Sequence, residues 1–144
     1  MDKDLFKAIS SAINGKEDCY FVPDERATQL ITDLTAKFSF DLTKLFIWAK
    51  KDLHNFYEYG DDREKWETII GDLSNRFDEE IFLCITNEEF YPWKIIKGKK
   101  SVIIGLLTEL PWFEYFIFDA TLQYVVFDTH DNFFVDFIQS WIRI

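Results

Sequence analysis

Phenylalanine, tyrosine and tryptophan make up 19% of this 144-residue chain, and no other feature restricts its possible folds as much. Rings of that size need a large core to bury them. Apolar residues reach 48% and charged residues 29%, so the low hydrophobicity and scarce aromatics of disordered chains are both absent. The length fits one domain, residues 1–144, around a single core.

The aromatic content is paired with a formal net charge of −10. Nucleic-acid binding draws much of its affinity from a basic face, so a phosphate-binding role is not expected. Lys97, Lys99 and Lys100 form the one dense basic cluster, read as a solvated turn. Anionic membranes are disfavoured for the same reason, whereas a basic protein partner would be attracted and its association accelerated. No apolar run approaches the ~20 residues that cross a bilayer, and the opening residues lack a signal peptide's basic and apolar regions. The expected location is the cytoplasm. Cys19 and Cys84 stand alone in unlike settings, which is no disulfide framework, and Cys84 in Ile81-Phe82-Leu83-Cys84-Ile85 reads as a core residue.

The first third predicts two amphipathic helices. Leu5, Phe6, Ile9 and Ile13 share one helical face, and Asn14-Gly15 supplies a left-handed stop. After the apolar piece Cys19 to Val22, Pro23-Asp24-Glu25 favours a helix start, and Ala27, Leu30, Ile31, Leu34 and Phe38 follow at steps of three and four. Thr43 to Leu53 reads as a buried strand or a helix, the strand favoured by its short length and β-branched and aromatic members. Asn55 to Gly60 reads as a loop. Asp61 or Asp62 then caps a third helix carrying Trp66, Ile69, Ile70 and Leu73.

From residue 80 the pattern shortens. Ile81 to Ile85 and Trp93 to Ile96 read as extended, and Ser101 is the expected cap of a largely apolar helix that Pro111 ends after Leu110. Phe113 to Phe118, Tyr124 to Phe127 and Phe133 to Ile138 read as strands joined by short turns, as in an antiparallel meander. The expected fold is α+β, an antiparallel sheet with the N-terminal and central helices packed on one face.

Side chains suited to catalysis are scarce. Asp128-Thr129-His130-Asp131 places two carboxylates and an imidazole within four residues, which could hold a divalent ion or orient His130 as a base. Metal sites usually need three or four protein ligands, and the other histidine, His54, is remote in sequence. A polar turn with Asp128 or Asp131 accepting backbone N–H bonds explains the same residues, so no metal or cofactor is expected. Gly-x-Ser-x-Gly and phosphate-cradling glycine motifs are missing. The acidic groups Asp61-Asp62, Asp78-Glu79-Glu80 and Glu88-Glu89 read as solvated surface or as an acidic binding face, with Tyr57, Tyr59 and Tyr91 adding flat contact area. Trp66, Phe77, Phe82, Phe116 and Phe118 fit core positions, while Trp48, Trp112 and Trp141 fit neither class.

The segment from Leu107 through Pro111-Trp112-Phe113-Glu114-Tyr115 to Asp119, followed by Tyr124 to Asn132, resembles the C-terminal half of a group of small uncharacterised bacterial α+β proteins. It is also distantly similar to SUKH-type immunity proteins, acidic α+β domains that neutralise toxins delivered between bacteria. The resemblance implies a binding protein rather than an enzyme, with Glu114, Tyr115, Asp128 and His130 at the matching positions; many members of the group it resembles carry a second histidine where this chain has Asp131. The expected function is therefore non-enzymatic binding of a basic protein, as by an immunity-type inhibitor. The alternatives are a small hydrolase or metal-dependent enzyme centred on Asp128, His130 and Asp131, and a structural subunit. The oligomeric state is left open.

Overall fold

The computed structural model describes residues 3–38, 55–86, 93–128 and 132–138. These residues form α1 (Lys3–Ile13), β1 (Tyr20–Phe21), α2 (Asp24–Phe38), β2 (Asn55–Glu58), α3 (Arg63–Ser74) and β3 (Glu80–Ile85), then β4 (Lys94–Lys99), α4 (Lys100–Glu109), β5 (Tyr115–Phe118), β6 (Tyr124–Asp128) and β7 (Phe133–Ile138). The fold is α+β, with one seven-stranded sheet in the order β1-β4-β3-β5-β6-β7-β2 and every described pairing antiparallel. Among the described residues no helix is long and apolar enough to cross a membrane.

Strand alternation divides the apolar side chains between the two sheet faces. Ile81, Leu83, Ile85, Ile96, Ile117 and Val126 share a cluster with Ile9 of α1, Trp66, Ile70 and Leu73 of α3, and Ile103, Leu106 and Leu107 of α4. Phe82, Cys84, Ile95, Phe116, Phe118 and Phe127 form the opposite layer with Ala27, Leu30, Ile31 and Leu34 of α2. The expected packing on one face holds for α1, α3 and α4. It fails for α2, which covers the other side, so two apolar layers replace the single core. The cause lies in β3, β5 and β6, whose residues are apolar at odd and even positions alike, so both faces need cover.

The local chemistry matches most of the expected boundaries. Gly15 adopts φ +85° just after α1, Asp62 caps α3 by accepting the Lys65 N–H at 3.1 Å, and β5, β6 and β7 form the meander. Asn55–Glu58 is a strand rather than a loop, because tertiary pairing with β7 supplies the backbone partners that its polar sequence does not advertise. Ser101 is not the cap of α4, which starts at Lys100 straight from β4 with no side-chain cap. The lysine cluster is no turn. Lys97 and Lys99 lie in β4, and the Lys100 ammonium donates to the Ser74 and Phe77 carbonyls at 3.3 and 3.1 Å. Thr43 to Leu53, Trp48, Trp141 and His54 lie outside the described residues.

If α2 seals one sheet face as α3 seals the other, Leu34→Ala and Ile70→Ala should each cost about 2–5 kcal/mol, the range for a truncated buried aliphatic side chain. Urea denaturation checks this; a loss below about 0.5 kcal/mol for Leu34→Ala, typical of surface changes, would show that α2 adds no core.

Candidate functional site

Three carboxylates are buried among the described residues, Asp119, Asp128 and Asp136, and each is satisfied differently. Asp119 closes the turn after β5, accepting the Thr121 N–H at 3.0 Å and the Asp78 N–H at 2.9 Å. Asp136 in β7 accepts the Tyr124 hydroxyl at 2.6 Å and the Tyr57 hydroxyl at 3.1 Å, and the Arg76 guanidinium lies 3.6 Å away. Asp128, the last residue of β6, accepts the Tyr59 hydroxyl and, at 2.9 Å, the Trp66 indole N–H. Of the two acids that the sequence offers as acceptors of backbone N–H bonds in a turn, Asp128 or Asp131, Asp128 instead takes side-chain donors at the end of a strand.

Register explains why Asp128 points into the core. It lies opposite Tyr115 of β5 and Phe134 of β7, and both belong to the layer beneath α3 and α4. Its donors come from the turn between β2 and α3 and from the first helical turn that follows. The Tyr59 and Gly60 N–H groups donate to the Asn132 carbonyl at 3.1 and 3.2 Å. Gly60 takes φ +57° and Asn132 φ +65°, conformations that these two residue types tolerate best. The pinned turn delivers Tyr59 onto Phe134, ring centroids 5.1 Å apart, while Trp66 sits 6.3 Å from the same ring.

Burial pushes the Asp128 carboxyl above its ordinary range, against the opposing pull of the Trp66 and Tyr59 hydrogen bonds and, more weakly, of the nearby Tyr115 hydroxyl and Trp112 indole. Burial likewise raises the Tyr59 phenol, assisted by the nearby carboxylate. Tyr115 is fully buried, and its hydroxyl faces the same carboxylate and indole without reaching hydrogen-bond geometry to either. No cation among the described residues pairs with Asp128.

Beside this group lies a cavity of about 190 Å³ walled by Tyr59, Trp66, Leu107, Phe113 and Tyr115. Asp61, Asp62, Arg63 and Trp112 stand at its exposed rim, with Trp112 47% exposed. The Arg63 guanidinium lies 4.8 Å over the Trp66 ring and donates to the Thr108 carbonyl at 2.7 Å, tying α3 to α4.

Of the residues singled out from the sequence, Tyr59, Asp61, Asp62, Tyr115 and Asp128 meet here. Tyr59 and Tyr115 are interior walls rather than surface contacts. Tyr57 belongs to the Asp136 group, and Glu114 accepts the Thr86 hydroxyl at 3.2 Å. Glu88, Glu89, Tyr91, His130 and Asp131 lie outside the described residues. Trp66 reads from the sequence as plain core and Trp112 as unassigned, yet both belong to the site; helical spacing marks Trp66 as buried but carries no sign of where its N–H points. Burial pushes the Cys19 and Cys84 thiols up, away from a reactive thiolate. No group of three or more metal-binding side chains occurs among the described residues. No family model, curated protein or solved structure matches the chain.

Tyr59→Phe should cost about 1.5–3 kcal/mol, the range for a hydrogen bond to a charged group, whereas Tyr115→Phe should be close to neutral because its hydroxyl has no partner to lose. Chemical denaturation of the two variants checks the contrast. The raised Asp128 carboxyl means that the folded chain holds this proton more tightly than the unfolded one, so its contribution favours folding at low pH and is lost as pH rises through the folded pKa. Relative to Asp128→Asn, wild-type stability should rise as pH falls through the folded pKa and level off below about 4, the ordinary carboxylate value. Unfolding curves across that range test it, and a pH-independent difference would contradict the shift.

Proposed function

We propose that the chain is a non-enzymatic module that binds a basic protein partner, acting in the bacterial cytoplasm as an immunity-type inhibitor of a basic toxin. One observation carries this reading: the exposed acids Asp61 and Asp62 stand beside the exposed Trp112 on the rim of one aromatic cavity. Carboxylates around an exposed indole supply both parts of such an interface. The chain's net charge of −10 would speed encounter with a basic surface, and a large aromatic side chain is the kind of anchor that holds a complex. The distant sequence resemblance of the C-terminal half to SUKH-type immunity proteins implies the same kind of role.

A small hydrolase or metal-dependent enzyme centred on Asp128, His130 and Asp131 is the competing reading, and it has one observation in its favour: a carboxyl raised by burial lies beside a cavity. Against it, the Tyr59 hydroxyl and the Trp66 indole occupy the two Asp128 oxygens. Fully buried and absent from the cavity lining, the carboxylate sits behind those two side chains, out of direct contact with anything in the cavity.

The test is capture from a bacterial lysate at low salt, with mass spectrometry, by the wild type and by Asp61→Asn/Asp62→Asn. Asparagine is as good a helix cap as aspartate, so the double variant keeps α3. A basic protein that salt releases, and that the double variant retains at least about fivefold less well, is the expected outcome, since each lost charge contact is worth a fraction of a kcal/mol or more. Capture indifferent to salt and to the double substitution would overturn the proposal.

A further inference from the structure

Buried charges in proteins are normally paired, and of the three buried carboxylates one has a cation and another is closed off by the backbone of its own turn and its neighbour. Asp136 has Arg76, and Asp119 has two backbone N–H donors. Asp128 has aromatic donors alone, the Tyr59 hydroxyl and the Trp66 indole N–H. Arg63 is the one cationic residue lining the adjacent cavity among the described residues, and it turns instead to Glu67, at 3.6 Å, and the Thr108 carbonyl. A second buried group points the same way. The Tyr115 hydroxyl, on a side chain that lines the cavity, is without a hydrogen-bond partner and offers its lone pairs to an N–H donor.

We propose that this cavity is a binding site for a single organic cation, a guanidinium or alkylammonium group, set among the Trp66, Trp112, Tyr59 and Tyr115 rings, with the charge of Asp128 acting from behind the Tyr59 and Trp66 walls rather than by direct contact. Size permits it. A cavity of about 150 Å³ accommodates benzene, and this one measures about 190 Å³. Ring faces attract cations through their quadrupole, most strongly for tryptophan; the Arg63 guanidinium 4.8 Å over Trp66 takes one such face, and the exposed Trp112 offers another. The rim acids Asp61 and Asp62 carry the same preference outward and disfavour an anion. An arginine or lysine side chain of a protein partner and a free methylated ammonium ion present the same chemistry. The inference rests on the protein-binding reading only for the first of these sources.

The experiment uses the full chain at low ionic strength, titrated with methylguanidinium chloride, with tetramethylammonium chloride and with tert-butanol as the neutral analogue. The readout is the NMR shift of the Trp66 and Trp112 indole N–H and of the Gly60 amide. Saturable shifts confined to these groups are expected for the cations, with tert-butanol at least about tenfold weaker, the size of a desolvated cation–π contribution. Asp128→Asn should weaken cation binding about tenfold or more. Should that variant fail to fold, Trp112→Ala, at a half-exposed position, should weaken binding severalfold while the chain stays folded, as judged by its amide NMR spectrum. Tighter binding of an arginine-containing peptide than of methylguanidinium supports a protein side chain as the source, and preference for tetramethylammonium supports a free ion. Equal binding of tert-butanol, stronger shifts with acetate, or no saturable shift overturns the site. Because the probes carry no protein surface, a negative result here leaves salt-sensitive capture of a partner standing, and failed capture with cation binding intact removes only the protein-binding reading.

Discussion

Each central strand of the sheet presents alternate side chains to two different helical layers, so in β3 Phe82 and Cys84 face the α2 side while Ile81, Leu83 and Ile85 face α1, α3 and α4. The rest of the molecule follows from that double burial. With both faces dry, a polar residue in β6 or β7 cannot reach water, and it is tolerable only where packed neighbours supply donors. Asp128 and Asp136 both fall on the face beneath α3 and α4, and donors for them come from hydroxyl and indole groups of that same layer.

The Asp128 group is consequently both a clamp and a site. Its hydrogen bonds join β6 to the turn after β2 and to the start of α3, while the Asn132 carbonyl holds the same turn through Tyr59 and Gly60. Sheet register, turn geometry and helix position are fixed together, so the aromatic walls of the cavity are held by the fold and need no ligand to arrange them. A pre-arranged wall spares a ligand the entropy of ordering it. The contrast with Asp136 shows how local the electrostatics are. On one sheet face, one buried carboxylate has a guanidinium partner and the other has only neutral donors beside an open volume.

Much of the architecture could be read from local patterns. Steps of three and four among Leu30, Ile31, Leu34 and Phe38, and among Trp66, Ile70 and Leu73, mark α2 and α3 because a helix repeats its face at that interval. Short apolar runs bounded by turn residues mark β3 and β5 to β7. Asn55–Glu58 escaped the same reasoning, since an edge strand held by backbone pairing with β7 needs no apolar pattern of its own. The opposite placement of α2 escaped it too, because a helical stripe records that a face is buried and not which side of the sheet buries it.

The sequence by itself determined the α+β class, most element positions, the buried aromatics and the acidic charge, all of which depend on composition or on residues within a few places of one another. The tertiary structure alone decided the candidate site. Trp66 and Tyr59 precede Asp128 by 62 and 69 residues, and their convergence depends on strand register and on how α3 lies over the sheet. Asp128 in a four-residue polar string reads as a turn, because local hydrogen bonding is the only chemistry a short window can represent; its actual partners are side chains that meet it only when the sheet is assembled.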